Sequence, residues 1–127
     1  MKNNAKEQTP EMNPAQQPKQ AQNMLLEKVV QLIEDNIDNS EFTVDDIVVA
    51  IGMSRSVFFN KLKSLTGLAP VEFIRHVRMK KAAQLLTSND YLVKEVSYMV
   101  GISDTKYFGK CFKAKYGVTP QEYKKTE

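Results

Sequence analysis

Few residues of this chain are equipped for bond-making chemistry. Cys111 is the only cysteine and His76 the only histidine, so no internal disulfide forms and no zinc site of the usual Cys and His kind assembles. No paired carboxylates, no Ser or Cys beside a His, and no phosphate-cradling glycine loop stand at usable spacing. Cys111 reads as a small apolar side chain buried on a helix, and His76 as a surface or interface histidine. An enzyme, a cofactor and a bound metal are therefore not expected. What the chain concentrates instead is charge. Its net +3 is small, but between Met24 and Ala50 seven acids face the one base Lys28, whereas from Arg55 to Lys81 seven bases face only Glu72. From Asp104 onward six lysines face three acids. Two basic stretches of this kind read either as solvated helix faces or as contacts for a polyanion.

The elements that must position those charges follow from periodicity. Residues 1–23 are rich in Gln, Asn, Lys and Pro, with Pro10, Pro14 and Pro18 and almost nothing apolar larger than alanine, and read as a disordered tail or interdomain linker. This stretch lacks the apolar core of a secretory signal, and no apolar run in the chain approaches the roughly 18 residues that span a bilayer. A soluble, cytoplasmic domain without membrane contact is expected over residues 24–127, and a lone cysteine suits a reducing compartment. From Leu25 to Ile37 apolar residues recur at helical spacing, giving a first helix with an acidic outer face. Thr43, with Asp46 three residues on, caps a short second helix that Gly52 ends, and Ser54 caps a third helix burying Val57, Phe58, Leu62 and Leu65. Short helix, glycine turn and second helix make a helix-turn-helix over about 43–65. Pro70 opens a helix to about residue 87, roughly 25 Å long at 1.5 Å per residue. A second unit follows over about 93–116, with its turn at Gly101.

The second unit echoes the first. Gly67, Leu68, Ala69, Pro70, Val71, Glu72 and Phe73 return as Gly117, Val118, Thr119, Pro120, Gln121, Glu122 and Tyr123, with a shared Gly, Pro, Glu and aromatic frame. The fold expected is all-α and homeodomain-like, of about seven helices, with two helix-turn-helix subdomains joined by a long connecting helix.

These residues resemble the DNA-binding domain of the AraC/XylS family of bacterial regulators. The likeness covers roughly Thr43 to Lys124. It is carried by Gly52, Met53, Ser54 and Arg55, by Arg78, Ala82, Leu85 and Leu86 in the connecting helix, and by the run Val100, Gly101, Ile102, Ser103 and Asp104 with Tyr107, Phe108, Phe112, Lys113, Gly117, Thr119, Pro120 and Tyr123. More narrowly, the chain is similar to the output domain at the C-terminal end of hybrid two-component sensor regulators. Val48 and Ser97 depart from the family's usual alanine, and Ile102 from its common phenylalanine; Val48 implies slightly wider helix spacing in the first unit. The family's large sensory domain is missing from these residues, which implies a fragment of a longer regulator or a small stand-alone factor.

What the resemblance implies is double-stranded DNA as partner, with two recognition helices entering successive major grooves about 34 Å apart. It assigns base reading to Ser56, Phe59 and Asn60 in the first unit and to Thr105, Lys106 and Lys110 in the second, and phosphate contact to Arg55, Lys63, Tyr107 and Lys113. Asn60 suits adenine, a lysine suits guanine and Phe59 suits a thymine methyl. Rival readings stand beside these: Phe59 as core next to Phe58, the lysines as phosphate contacts, and Arg78 as partner of an acid in the first helices. RNA polymerase and an attached receiver or sensor domain are further expected partners, with the acidic first helix as the contact face. The competing reading is a helical protein-interaction adaptor without DNA specificity. RNA is disfavoured because its deep, narrow major groove does not admit a helix.

Overall fold

A computed structural model describes residues 19–125. Among them seven helices and no strand occur: α1 (Lys19–Asp35), α2 (Val44–Ile51), α3 (Arg55–Thr66), α4 (Pro70–Ser88), α5 (Val93–Met99), α6 (Thr105–Tyr116) and α7 (Pro120–Lys125). The expected all-α fold of two helix-turn-helix units and a connecting helix is thus present. None of these helices is long and apolar enough to cross a membrane.

The tail expected over residues 1–23 lies, for residues 1–18, outside the described residues; residues 19–23 are helical, so α1 begins before the apolar stripe does. Once Leu25 to Ile33 nucleate the helix, Gln20, Ala21 and Gln22 extend it at little cost because they are good helix formers. Local chemistry sets the other boundaries. The Asp46 carboxylate accepts the Thr43 backbone N–H at 2.8 Å, and the Asp104 carboxylate accepts those of Lys106 and Tyr107 at 3.0 and 3.1 Å, each satisfying donors that a helix start leaves orphaned. The fifty-residue echo is a repeat of such devices. Gly67 and Gly117 both close helices in the left-handed region, donating to Lys63 and Lys113 carbonyls at 2.8 Å. Glu72 and Glu122 both accept a backbone N–H three residues back, at 3.2 and 2.9 Å.

Two cores result. Val29 and Ile33 of α1, Val44 and Ile47 of α2 and Phe58 and Leu62 of α3 form the first with Phe73, Ile74 and Val77; Val96, Val100, Phe108 and Phe112 form the second with Met79, Ala82, Ala83 and Leu86. Helix α4 therefore belongs to both, its first half apolar toward one unit and its second half toward the other, which is why its apolar residues fall on no single stripe. At 19 residues it is roughly 28 Å long. Val48 sits half-buried at the edge of the first core. Ser97 is fully buried, and its hydroxyl donates to the Ile102 carbonyl at 2.6 Å while the Ile102 N–H returns a bond to the Ser97 carbonyl at 2.9 Å. The serine thus fastens the second turn, a role that an alanine lacks.

Arg78 pairs with no acid among the described residues. Its guanidinium is buried at the junction of the two units and donates to the carbonyls of Ile37 at 3.1 Å, Asn39 at 3.1 Å and Val100 at 2.6 Å. Carbonyls of Val100 and the α1–α2 loop lie inside, next to the guanidinium, whereas Asp38 and Glu41 are solvent-exposed. Gly101, at φ +81°, makes room for it: a Cβ there would overlap the guanidinium and lie 2.6 Å from the Ile37 carbonyl oxygen. Gly52 has the same φ but nothing within 4 Å of an added Cβ. Gly52→Ala is accordingly expected to cost about 1 to 2 kcal/mol, the strain of a left-handed alanine, and Gly101→Ala at least about 2 kcal/mol more, because it also displaces Arg78. Denaturant titrations followed by circular dichroism compare the two; equal losses would show that Gly101 serves the turn alone.

Candidate nucleic-acid interface

The second helix of each unit presents one face outward. In α3, Phe58 and Leu62 are buried while Arg55, Ser56, Phe59, Asn60 and Lys63 are exposed; in α6, Phe108 and Phe112 are buried while Thr105, Lys106, Tyr107, Lys110 and Lys113 are exposed. The fifty-residue offset thus extends through both helices, pairing Phe58 with Phe108, Asn60 with Lys110 and Lys63 with Lys113. All ten residues singled out from sequence lie on these two exposed faces. Ser54, Arg55, Ser56, Phe59 and Asn60 line one shallow depression on the first unit.

Phe59 is 44 % exposed and so is not a core residue. Val57, expected in the core, is also 44 % exposed: three apolar residues in a row cannot share one face of a helix, and Phe58 occupies the inward position. The structural counterpart of Val57 is Tyr107, 45 % exposed. Its hydroxyl accepts a hydrogen bond from the Arg75 guanidinium at 3.2 Å, which leaves its own proton free to donate. That bond also holds the Arg75 guanidinium above its ordinary pKa. Sequence spacing gives no sign of this Arg75 contact, because its partner lies 32 positions away.

The two faces differ in charge. The first has a single strong cation near its start, Arg55, and this guanidinium forms an ion pair with Asp45 of α2. Both side chains are largely exposed, so the pair contributes at most roughly 1 kcal/mol to stability, and it must open before Arg55 engages another anion. The second face carries Lys106, Lys110 and Lys113 without an ion-pair partner among the described residues. Gly109 stands between them inside α6, and a Cβ added there would meet nothing within 4 Å. Packing gives no reason for a glycine that costs the helix about 1 kcal/mol relative to alanine.

Behind these faces, His76 stacks on Phe73 with ring centroids 6.0 Å apart, and its Nδ1 lies 2.9 Å from the Lys115 ammonium. Partial burial and the charges of Lys115 and Lys80 push its pKa down. Cys111 packs half-buried against the second core. No group of three His, Cys, Asp or Glu side chains among the described residues is arranged to hold a metal ion. The acids of the first half, Glu27, Glu34, Asp35, Asp38, Glu41, Asp45 and Asp46, are all exposed on α1, α2 and the loop between them.

Known proteins share this arrangement. A family described as a helix-turn-helix domain matches residues 47–126. The chain is 43% identical over 99 residues to histidine kinase P4 of Formosa agariphila, a match covering 78% of this chain but 7% of that protein. It spans 28–36% of the length of other curated relatives. Among solved structures, a transcriptional regulator with an AraC-type DNA-binding domain from Chromobacterium violaceum is similar with a TM-score of 0.75 at 25% identity, over 83% of this chain and 93% of that one. The DNA-binding domain of AdpA, solved in complex with a target DNA, gives a TM-score of 0.72 at 29% identity, over 80% and 90% of the two chains.

Proposed function

The chain belongs to the AraC-type helix-turn-helix family of DNA-binding domains found in transcription regulators, and from that premise we propose that it is the DNA-reading output module of a larger, signal-responsive bacterial regulator working in the cytoplasm. The observation that carries this reading is the pairing of α3 and α6: each shows its exposed face beyond its own core, and both are anchored to the one helix, α4, that is buried in both cores. A rigid strut between two helices of matching register lets one chain read two successive major grooves, and so a long asymmetric site.

In this reading Ser56, Phe59 and Asn60 address base edges in one groove and Thr105, Lys106 and Lys110 in the next. Arg55, Lys63, Tyr107 and Lys113 hold phosphates. Asp45 releases Arg55 when a phosphate takes its place. Gly109 lets the backbone of α6 approach the groove floor more closely than any side chain would allow. The acidic face of α1 and α2 is the surface for RNA polymerase or for an attached receiver or sensor domain; the likeness to a histidine kinase far longer than this chain favours a two-component setting.

A selected duplex, with random duplex as competitor, tests the reading by fluorescence anisotropy. Asn60→Ala is expected to lose roughly 1 to 3 kcal/mol on the selected site and little on random DNA, whereas Lys113→Ala weakens both and lowers the salt slope by about 1. Equal losses of Asn60→Ala on both duplexes contradict base reading. Gly109→Ala is expected to stabilise the fold by about 0.5 to 1 kcal/mol and yet to weaken binding; unchanged affinity removes the close-approach role. Glu34→Ala with Asp35→Ala should leave DNA affinity intact and lower transcription in a reporter strain, and unaltered transcription rules that face out as a partner surface.

A further inference from the structure

A cleft of about 470 Å³ opens between α4 and α6. Arg75 and His76 line it from α4, and Tyr107, Lys110 and Lys115 from α6, with Glu72 the one acid among its walls. Glu72 is already engaged, accepting the Ala69 N–H at the start of α4. The one ion pair among the described residues, Arg55 with Asp45, is elsewhere. The Glu72 charge also reaches Arg75, so the cleft sets three cations, Arg75, Lys110 and Lys115, against one carboxylate and keeps an excess of positive charge.

Their hydrogen bonds leave only donors to spare. Lys115 donates to Nδ1 of His76 at 2.9 Å, which places the imidazole proton on Nε2 as a donor. Arg75 donates to the Tyr107 hydroxyl at 3.2 Å and keeps further N–H groups, while the phenol keeps its own proton. A cleft that offers guanidinium, ammonium, phenol and imidazole donors and almost no acceptor is complementary to an oxyanion. Lys110 decides which oxyanion, because it lines the cleft and also stands on the exposed face of α6. A polyanion lying along that face passes directly beside the opening.

The geometry points to a phosphodiester site: the α4–α6 cleft seats a backbone phosphate of the bound duplex where the strand crosses from the groove read by α3 to the groove read by α6. Arg75, His76 and Lys115 thereby join the interface as positioning contacts that carry no sequence information. This rests on the DNA-reading function proposed above. His76 supplies a signal, being the only histidine of the chain. The groups facing it are Arg75, Glu72, Lys80 and Lys81 on α4, Glu34 on α1, and Lys110, Cys111 and Lys115 on α6. A phosphate placed among them offsets the lysines and raises the pH at which the imidazole protonates.

The test uses the full chain and the variants Lys115→Gln and Arg75→Gln, with Lys28→Gln as a lysine outside the cleft and circular dichroism to confirm folding. Both cleft variants are expected to weaken selected and random duplex alike by roughly 3- to 10-fold and to lower the salt slope by about 1, with Lys28→Gln unchanged. In the intact chain, the proton resonances of His76 should titrate at higher pH with duplex than without it. Unchanged slopes, a His76 titration indifferent to duplex, or a His76 that responds to inorganic pyrophosphate but not to duplex would each overturn the site. Failure to prefer the selected duplex over random DNA would instead refute the sequence-reading function and leave the cleft standing, since random duplex supplies the same phosphate.

Discussion

The guanidinium of Arg78 carries a full charge into the seam between two small cores, where three carbonyls from two different units accept its protons. Burying such a charge is costly unless every donor finds a partner, and here the cost is offset only if both units sit in one arrangement. Burial alone lowers its pKa, yet a guanidinium keeps its proton in any folded protein, so the charge is permanent. Loss of either partner unit would strand it. Neither core is large, and each uses one half of α4; without the seam, two loosely tethered helix-turn-helix units would remain. Ile37, which packs against both cores while its carbonyl accepts from Arg78, and Gly101, which leaves room for the guanidinium, are the other two parts of that seam.

From that constraint the functional geometry follows. Helices α3 and α6 each pack on α4, which ties their outward faces to one shared helix. The two faces are chemically unlike. The first offers Ser56, Phe59 and Asn60 beside an arginine already paired to Asp45, while the second offers three lysines, without an ion-pair partner among the described residues, around a glycine. In the proposed function, hydrogen-bond and apolar readout would dominate one face, and charge the other. A duplicated architecture with unduplicated chemistry suits an asymmetric DNA site.

Much of this was legible in the sequence, for a physical reason. The glycines at 52, 67, 101 and 117, the Thr43–Asp46 pair and the prolines at 70 and 120 act on their own neighbours, so their effects can be read residue by residue. The start of α1 was not legible, because Lys19 to Asn23 carry no apolar signal and are helical only by extension of the stripe that follows. Val57 misled, since Val57, Phe58 and Phe59 run together and only packing decides which of them turns inward. What escaped entirely was tertiary polar chemistry: Arg78 with carbonyls as far as 41 positions away, Arg75 with Tyr107, and His76 with Lys115. Sequence showed an excess of base over acid in α4 and α6 but not that these bases converge on one cleft.

The proposed function has α4 hold α3 and α6 at one fixed separation, so that both must engage a single duplex together. Its most direct test is the affinity of the chain for a selected site before and after about five base pairs, half a helical turn, are inserted between the two halves of that site. A fixed separation predicts that the insertion puts the second half on the far side of the duplex and lowers affinity by at least about tenfold, to that of either half alone. Undiminished affinity would contradict it, and would mean that the two units move independently or that one recognition helix does all the reading.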